Sequence, residues 1–127
     1  MRLTDKKWLM KANLTIWEDS IVECIFTDKT DLSLRLVRTI FREAKNLSKG
    51  RKVNFILDCN NIKNIDWVSQ SRLVDKMESQ FKAIALVSDN TNSITIANVI
   101  VSISNPGFPI TIAPSIDAAR QWLSQYK

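Results

Sequence analysis

The chain has 127 residues, a length at which a single hydrophobic core is the usual outcome. Hydrophobic residues make up 45% of it and charged residues 24%, which is typical of a globular protein and excludes the disordered and fibrous classes. The formal net charge of +5 is compatible with an anionic partner and carries no information about the fold.

The first predicted elements form a hairpin. Between residues 7 and 17 apolar and polar side chains alternate, which is typical of a half-exposed strand. The apolar set on one parity is Trp8, Met10, Ala12, Leu14 and Ile16. A polar break at residues 18–20 separates this strand from a second β-favouring run at residues 21–26.

A helix and a buried strand follow the hairpin. Asp31 or Ser33 can cap the N-terminus of the helix, and Gly50 stands at the position of a C′ glycine. The apolar residues of the helix recur at helical spacing and are Val37, Ile40, Phe41, Ala44 and Leu47. The apolar run at residues 53–57, which ends in Asp58, predicts a central strand covered on both faces.

Helices and strands continue to alternate in the second half of the chain. Asp66 is predicted to cap a helix, and residues 82–87 predict the next buried strand. The apolar residues of that helix are Val74, Met77 and Phe81. Residues 91–104 are rich in β-branched side chains, yet the order of elements requires a crossover here, so we predict a helix. A strand at residues 110–113 and a helix capped by Ser115 follow.

The predicted order of elements is therefore β-β-α-β-α-β-α-β-α. Short apolar strands that alternate with amphipathic helices predict an α/β fold with a mixed, mostly parallel sheet, about four helices and an N-terminal hairpin. No linker, internal repeat or low-complexity segment interrupts this order, so we expect one domain over residues 1–127.

The cysteine and histidine contents restrict the chemistry. Cys24 and Cys59 lie far apart in apolar segments, so we predict buried, reduced thiols. The sequence contains no histidine, which removes Cys/His zinc sites and Ser-His-Asp catalysis. No apolar run approaches the roughly 20 residues that a transmembrane helix needs. Because no apolar segment with a cleavage site follows the first residues, we expect a cytoplasmic protein.

Residues 55–66, Phe-Ile-Leu-Asp-Cys-Asn-Asn-Ile-Lys-Asn-Ile-Asp, resemble the signature of STAS domains, the SpoIIAA-like fold. In that signature an apolar strand ends in Asp, a short loop follows, and an Ile-Asp pair leads into the next helix. Residues 106–112 and 118–123 are similar to a bacterial branch often labelled STAS/SEC14-like. The resemblance covers nearly the whole chain and implies a STAS-like fold.

The resemblance also implies where a regulatory site would lie. Anti-sigma-factor antagonists of this family begin the helix with Asp-Ser-Ser-Gly, and a kinase phosphorylates the second serine. The matching residues here are Asp66, Trp67, Val68 and Ser69, and Val68 has no hydroxyl group to phosphorylate. Two alternatives stay open for Trp67, a core residue or an exposed anchor for a partner or a second copy. Ser69 and Ser71 either substitute for the missing serine or are, respectively, a polar residue at the helix start and a small residue that faces a neighbour. Ser69 also belongs to the predicted docking surface.

Five basic residues recur at spacings of three and four in the first helix, namely Arg35, Arg38, Arg42, Lys45 and Lys49. This spacing places them on one helix face, opposite the apolar one. The face is either simply solvated or binds an anionic partner, such as an acidic protein surface, a phosphate-bearing ligand or an anionic membrane. Nucleic acid is the weakest candidate, because the sequence has no aromatic platform, helix-turn-helix spacing or glycine-rich phosphate loop.

Three functions are compatible with these patterns. The first is a non-catalytic protein-interaction or regulatory module that acts through Asp58, Asp66, Trp67 and Ser69, on another protein or as a homodimer. The second is a small carrier or sensor of an apolar or amphipathic ligand, as the SEC14-like label suggests. The third is an enzyme that uses Asp58 and Asp66, although a turn residue and a helix cap explain both more simply. We favour the first and expect no cofactor and no metal.

Overall fold

The structure, a computed structural model, describes residues 1–9, 11–67 and 69–127. Its strands are β1 (Leu3–Trp8), β2 (Ala12–Trp17), β3 (Ile21–Phe26), β4 (Thr30–Leu32), β5 (Val53–Asp58), β6 (Ile62–Ile65), β7 (Phe81–Val87) and β8 (Ile110–Ala113). Its helices are α1 (Leu34–Leu47), α2 (Ser71–Gln80), α3 (Thr91–Ile103) and α4 (Ile116–Leu123), and a short 3-10 turn (Ser124–Tyr126) follows α4.

Six strands form one sheet in the order β1-β2-β3-β5-β7-β8. The β1–β2 and β2–β3 pairs are antiparallel, and the pairs from β3 to β8 are parallel. The parallel strands follow chain order, so each βα crossover steps in the same direction along the sheet. The predicted α/β class, the mostly parallel mixed sheet, the four helices and the N-terminal antiparallel hairpin are confirmed.

The sheet separates two hydrophobic cores. Alternation along β5 sends Phe55 and Leu57 into the larger core, which α1, α2 and α3 cover, and Ile56 into the smaller one beneath α4. In the larger core Phe55 stacks on Phe81 with ring centroids 4.4 Å apart, and Phe41 of α1 meets both rings edge-on. This aromatic cluster fixes α1 against the centre of the sheet.

The predicted first strand is in fact two strands. β1 ends at Trp8 and β2 begins at Ala12, with a tight turn in which the Leu9 amide donates to the Ala12 carbonyl oxygen over 2.8 Å. The prediction of one strand over residues 7–17 was therefore wrong. Apolar residues fall on even-numbered positions both before and after this turn, so the alternation continues across it and gives no sign that the chain reverses direction. Met10, which belonged to the predicted strand, lies outside the described residues.

Two strands escaped the sequence analysis. β4 and β6 pair in parallel as a separate small sheet, and the Thr30 amide donates to the Asn61 carbonyl oxygen over 2.8 Å. With three and four residues they are too short to show a period. They continue beyond the carboxyl ends of β3 and β5, so the end of β6 lies beside the start of α1.

Helix α1 begins at one of the two predicted caps and ends in a motif that differs in detail from the predicted one. Ser33, not Asp31, is the N-cap, since its Oγ accepts from the Leu36 amide at 3.2 Å. At the other end the Gly50 amide donates to the Lys45 carbonyl oxygen over 2.9 Å, as in a Schellman motif.

The C′ position of that motif is held by Lys49, with φ of 56°, and not by Gly50 as predicted. Gly50 follows with φ of 77°, so two consecutive residues adopt the left-handed conformation. This geometry turns the chain from α1 into the Arg51-Lys52 segment that leads to β5.

Helix α3 is confirmed despite its β-branched composition. Asn90 caps it by accepting from the Ser93 amide at 2.9 Å, and Ala97 and Ile100 face the larger core. Tertiary packing therefore outweighs the low helix propensity of the segment. The end of the preceding helix was predicted less well, because Phe81 belongs to β7 and not to α2.

Candidate functional site

Asp66 serves a different helix from the predicted one. Helix α2 begins only at Ser71, and Gln70 before it makes no side-chain cap. The Oδ1 atom of Asp66 accepts from the Leu34 amide at 2.9 Å, at the first residue of α1. The prediction of Asp66 as the cap of α2 was wrong, because pairing of β4 with β6 brings Ile65 opposite Leu32 and places the next residue at the start of α1.

Trp67 lies in the larger core, and only 2% of its surface is exposed. Of the two alternatives left open by the sequence, the structure places it in the core and not at an exposed anchor. Its Nε1 atom is buried and has no hydrogen-bond partner among the described residues. The neighbouring Ser69 is exposed in a turn, and Val68, which the predicted STAS resemblance matches to the phosphorylated serine, lies outside the described residues.

The core beside Trp67 contains only a small void. Its apolar lining includes Phe41, Phe55 and Met77, and its volume is about 10 Å³. A void of about 10 Å³ holds at most about one water molecule, so it has no room for an organic ligand in this conformation.

Asp58 and Asp66 are not paired. Asp58 ends β5, and its Oδ1 accepts from the Asn60 amide at 2.9 Å in a tight turn. Strand β6, four residues long, lies between the two carboxylates and spans roughly 13 Å. In the described ranges, no group of three or more His, Cys, Asp or Glu side chains could hold a metal ion.

Cys24 and Cys59 are buried free thiols, as predicted. Burial is the main cause that raises the pKa of the Cys24 thiol far above its ordinary value, and the charges of Cys59 and Asp58 add to it. Burial, with a smaller contribution from Asp58, raises the pKa of Cys59 to about 12. Both groups are therefore neutral near pH 7 and poor nucleophiles.

The basic face of α1 is exposed. It consists of four side chains on the helix, Arg35, Arg38, Arg42 and Lys45. Lys49 is also exposed, but it lies beyond the helix end with φ of 56°, so the prediction that it shares this helix face was wrong. The opposite side of the helix is buried through the apolar residues predicted from the sequence. The neighbouring carboxylate, Glu43, is half-buried and lies 3.5 Å from Arg42 Nε and 4.0 Å from Lys7 Nζ.

This arrangement is unfavourable for the helix itself. Like charges three or four residues apart repel by a few tenths of a kcal/mol per pair. Arg35 also lies in the first turn, where the helix dipole is positive and where α1 has no acidic side chain of its own. The Asp66 carboxylate at the Leu34 amide offsets part of this charge from outside the helix. Stability of α1 does not explain why these cations are aligned.

The basic face continues into a depression at the C-terminal end of α1, which we call the basic pocket. It has a volume of about 170 Å³ and is lined by Lys45, Gly50, Arg51, Lys52, Lys76, Ser79 and Gln80. Gln80 Nε2 donates to the Phe41 carbonyl oxygen over 2.6 Å and so joins the end of α2 to α1. Four of the lining side chains are cationic and none is acidic.

The sequence analysis missed three of these cations. Arg51 and Lys52 follow Gly50 directly, so the sequence alone could have placed both cations near the end of α1. Lys76 lies on α2, and its contact with the pocket depends on how α2 packs against α1.

A second ionic cluster joins elements that are distant in the sequence. The Arg120 guanidinium of α4 donates to the carboxylates of Asp19 and Glu23 in the β2–β3 hairpin. The same guanidinium lies 5.5 Å from the centre of the Trp17 ring. Because Glu23 is buried and Arg120 is mostly buried, this cluster is a structural contact between α4 and the hairpin and not an accessible binding site.

Among the helices in the described part of the chain, none has the length and apolar character needed to cross a membrane.

Comparison with known proteins places the chain in a family. No curated protein and no solved structure matches the sequence. The family model described as "Domain of unknown function (DUF7793)" matches residues 15–127, which include the whole basic face and the basic pocket. The chain therefore belongs to the DUF7793 family.

Proposed function

We propose that this chain is a non-catalytic, STAS-like interaction module that docks an acidic surface of another protein on the basic face of α1. The observation that carries the proposal is the alignment of four exposed cations along α1, of which only Lys45, in the last turn, complements the helix dipole. From Arg35 to Lys45 the face is roughly 15 Å long.

The face is rigidly supported. Val37, Ile40 and Ala44 are almost completely buried on the opposite side of α1, and Phe41 packs into the aromatic cluster of the larger core. A preorganised charged surface loses little conformational entropy when a partner binds. Its charges also accelerate encounter with an oppositely charged surface.

A partner other than a second copy is favoured by the charge of the face. In a two-fold symmetric dimer the same patch meets itself, so Arg38 and Arg42 of each copy would face cations of the other. Like charges placed opposite each other at an interface cost several kcal/mol. An acidic surface of a different protein has the complementary charge.

The other two functions have less support. Asp58 and Asp66 make separate backbone hydrogen bonds at opposite ends of β6, so they do not form an acid–base pair. A carrier of apolar ligands requires a pocket of several hundred cubic ångströms, whereas the void beside Trp67 has about 10 Å³.

A charge-reversal experiment tests the proposal. The affinity of the purified chain for a fluorescently labelled peptide of alternating Glu and Asp would be measured by anisotropy for wild type and for Arg38→Glu/Arg42→Glu. We expect the double variant to bind at least about tenfold more weakly, because two attractive contacts become repulsive. The affinity should also fall as salt is added.

The matched control is Lys6→Glu/Lys82→Glu, which reverses two exposed cations on β1 and β7, outside the basic face. We expect it to bind the peptide with nearly the wild-type affinity. If both double variants lost the same affinity, only the net charge would matter and the proposed docking face would be refuted. Failure of the wild type to bind the peptide would refute the proposal as well.

A further inference from the structure

We propose that the basic pocket binds a phosphorylated side chain of the same acidic partner. This inference rests on the proposed docking function and assigns the chemistry of one end of the docking face. Lys45 belongs to both the basic face and the basic pocket, so a partner segment that lies along α1 arrives at the pocket without changing direction.

The charge of the pocket exceeds what the fold needs. Cations stabilise the C-terminal ends of helices, and the pocket lies at the ends of both α1 and α2. Each helix end is equivalent to only about half a negative charge. Lys45, Arg51, Lys52 and Lys76 therefore leave an excess of about three positive charges. A phosphomonoester carries about −1.5 to −2 at pH 7 and would neutralise most of it.

The donors of the pocket suit a phosphate group. Arg51 Nε donates to the Ser48 carbonyl oxygen over 3.2 Å, which fixes the plane of the guanidinium. In the part of the chain that the structure describes, its two terminal nitrogens have no protein partner and can present the fork that binds oxyanions. Lys52, Lys76 and Ser79 line the same space, where the Ser79 hydroxyl already donates to the Lys76 carbonyl oxygen over 2.9 Å, so the two lysines are the free donors.

The size of the pocket favours a phosphorylated side chain over a larger ligand. Pockets for drug-sized ligands and cofactors measure about 300–1,000 Å³, whereas the basic pocket has about 170 Å³. A nucleotide would leave its base and sugar outside, and no aromatic residue lines the pocket to stack on a base.

A membrane headgroup is less well supported as the source of the phosphate. Membrane-surface binding combines basic residues with apolar side chains that enter the bilayer. No apolar side chain lines the basic pocket, and the large exposed apolar residues of the described chain, Met1, Leu3 and Trp8, lie at or next to β1. The phosphate source to which we commit is therefore a protein.

The length of the basic face also predicts how far the phosphorylated residue of the partner lies from its acidic residues. Arg35 and Lys45 are ten residues apart on α1, or roughly 15 Å. An extended segment covers this distance with about five residues. The phosphorylated residue should thus stand at one end of a short acidic run.

Two labelled peptides test the inference, an acidic run of Glu and Asp that ends in phosphoserine and the same peptide with serine. We expect the wild type to bind the phosphorylated peptide about tenfold more tightly, the effect of one or two added charged hydrogen bonds. In Lys52→Gln/Lys76→Gln this preference should disappear, because the affinity for the phosphorylated peptide should fall much further than the affinity for the serine peptide. Lys6→Gln/Lys82→Gln, the matched control, should keep the preference.

The outcomes separate this inference from the proposed function. Equal affinity of the wild type for both peptides would overturn the phosphate pocket and leave the docking face intact. Absence of binding for both peptides would overturn the docking function and the inference together. Vesicles that contain phosphatidylinositol monophosphate form a third arm. If they bound more tightly than the phosphopeptide, and only with Lys52 and Lys76 present, the protein source of the phosphate would be refuted.

Discussion

Cys24 in β3 and Cys59 just after β5 both lie in the larger core, close to the Asp58 carboxylate. Loss of water around the sulfur disfavours the thiolate, and the neighbouring negative charge disfavours it further. The folded chain therefore holds both protons at pH values at which an unfolded chain has released them. This difference links single side chains to the stability of the whole fold.

Stability should fall in alkaline solution through these two thiols. Above about pH 9 the unfolded chain binds fewer protons than the folded one, so the free energy of unfolding decreases by about 1.4 kcal/mol per pH unit for each thiol. For Cys59 the decrease continues until its folded pKa of about 12. Urea unfolding at about pH 8 and about pH 10 would measure the loss.

The comparison variant is Cys24→Ala/Cys59→Ala, which removes both thiols and changes no other ionisable side chain. We expect its stability to decrease less steeply with pH than that of the wild type. Identical slopes for the two proteins would show that the thiols are not the groups responsible.

Among the elements, α1 depends most on residues outside its own range. Ser33 caps its first turn, Asp66 accepts from the Leu34 amide, and Lys49 and Gly50 close its last turn. The Asp66 contact matters electrostatically, because it places a carboxylate at a helix start that carries Arg35 and has no acidic residue.

Removal of this carboxylate should destabilise α1 measurably. We expect Asp66→Ala to lower the free energy of unfolding by about 1 kcal/mol through the lost cap and the lost charge. Asp66→Asn keeps an acceptor without the charge and should lose about half as much. Urea denaturation measures both variants, and an Asp66→Ala protein as stable as the wild type would contradict the assignment.

The sequence predicted best those elements that are long enough to show a period. Every residue of the predicted apolar face of α1 is buried, and the strand before Asp58 is central. β4 and β6 were missed because three or four residues carry no periodic signal. The misassignment of Asp66 followed directly, since its position beside α1 depends on the pairing of these two short strands.

The part of the candidate site that lies on a long helix could be predicted from the sequence. Helical spacing was enough to place Arg35, Arg38, Arg42 and Lys45 on one exposed face, because only the local conformation decides it, whereas Lys49 lies beyond the helix end. The burial of Trp67 and the position of Lys76 could not be obtained in this way. Both depend on how α2 packs against α1. The hydrogen bond from Gln80 to the Phe41 carbonyl oxygen is one contact of that packing.

At the scale of the whole molecule, α4 is the only helix of the described chain that covers the smaller core. Its packing there rests on small apolar contacts such as Ala119 and Leu123. The Arg120 cluster adds an ionic contact between this helix and the β2–β3 hairpin at Asp19 and Glu23. The Glu23 side chain is only 7% exposed, so its charge depends on Arg120.

Loss of Arg120 should therefore be costly. We expect Arg120→Met, which keeps an apolar stem against Trp17, to lower the free energy of unfolding by roughly 3 kcal/mol, because Glu23 loses its buried partner. Addition of Asp19→Asn and Glu23→Gln to this variant should restore part of the loss. Chemical denaturation of the wild type, Arg120→Met and the triple variant measures both effects. A triple variant less stable than Arg120→Met would contradict this explanation.

The strand order has a kinetic consequence. Parallel neighbours in the sheet join segments roughly 30 residues apart, since Ile21 pairs with Asn54 and Ile84 with Ile110. Arg120 instead reaches residues 101 and 97 positions away. The short-range pairings cost less loop entropy and can form before α4 docks. We therefore expect the Arg120 cluster to be absent from the folding transition state, so that Arg120→Met speeds unfolding more than it slows folding.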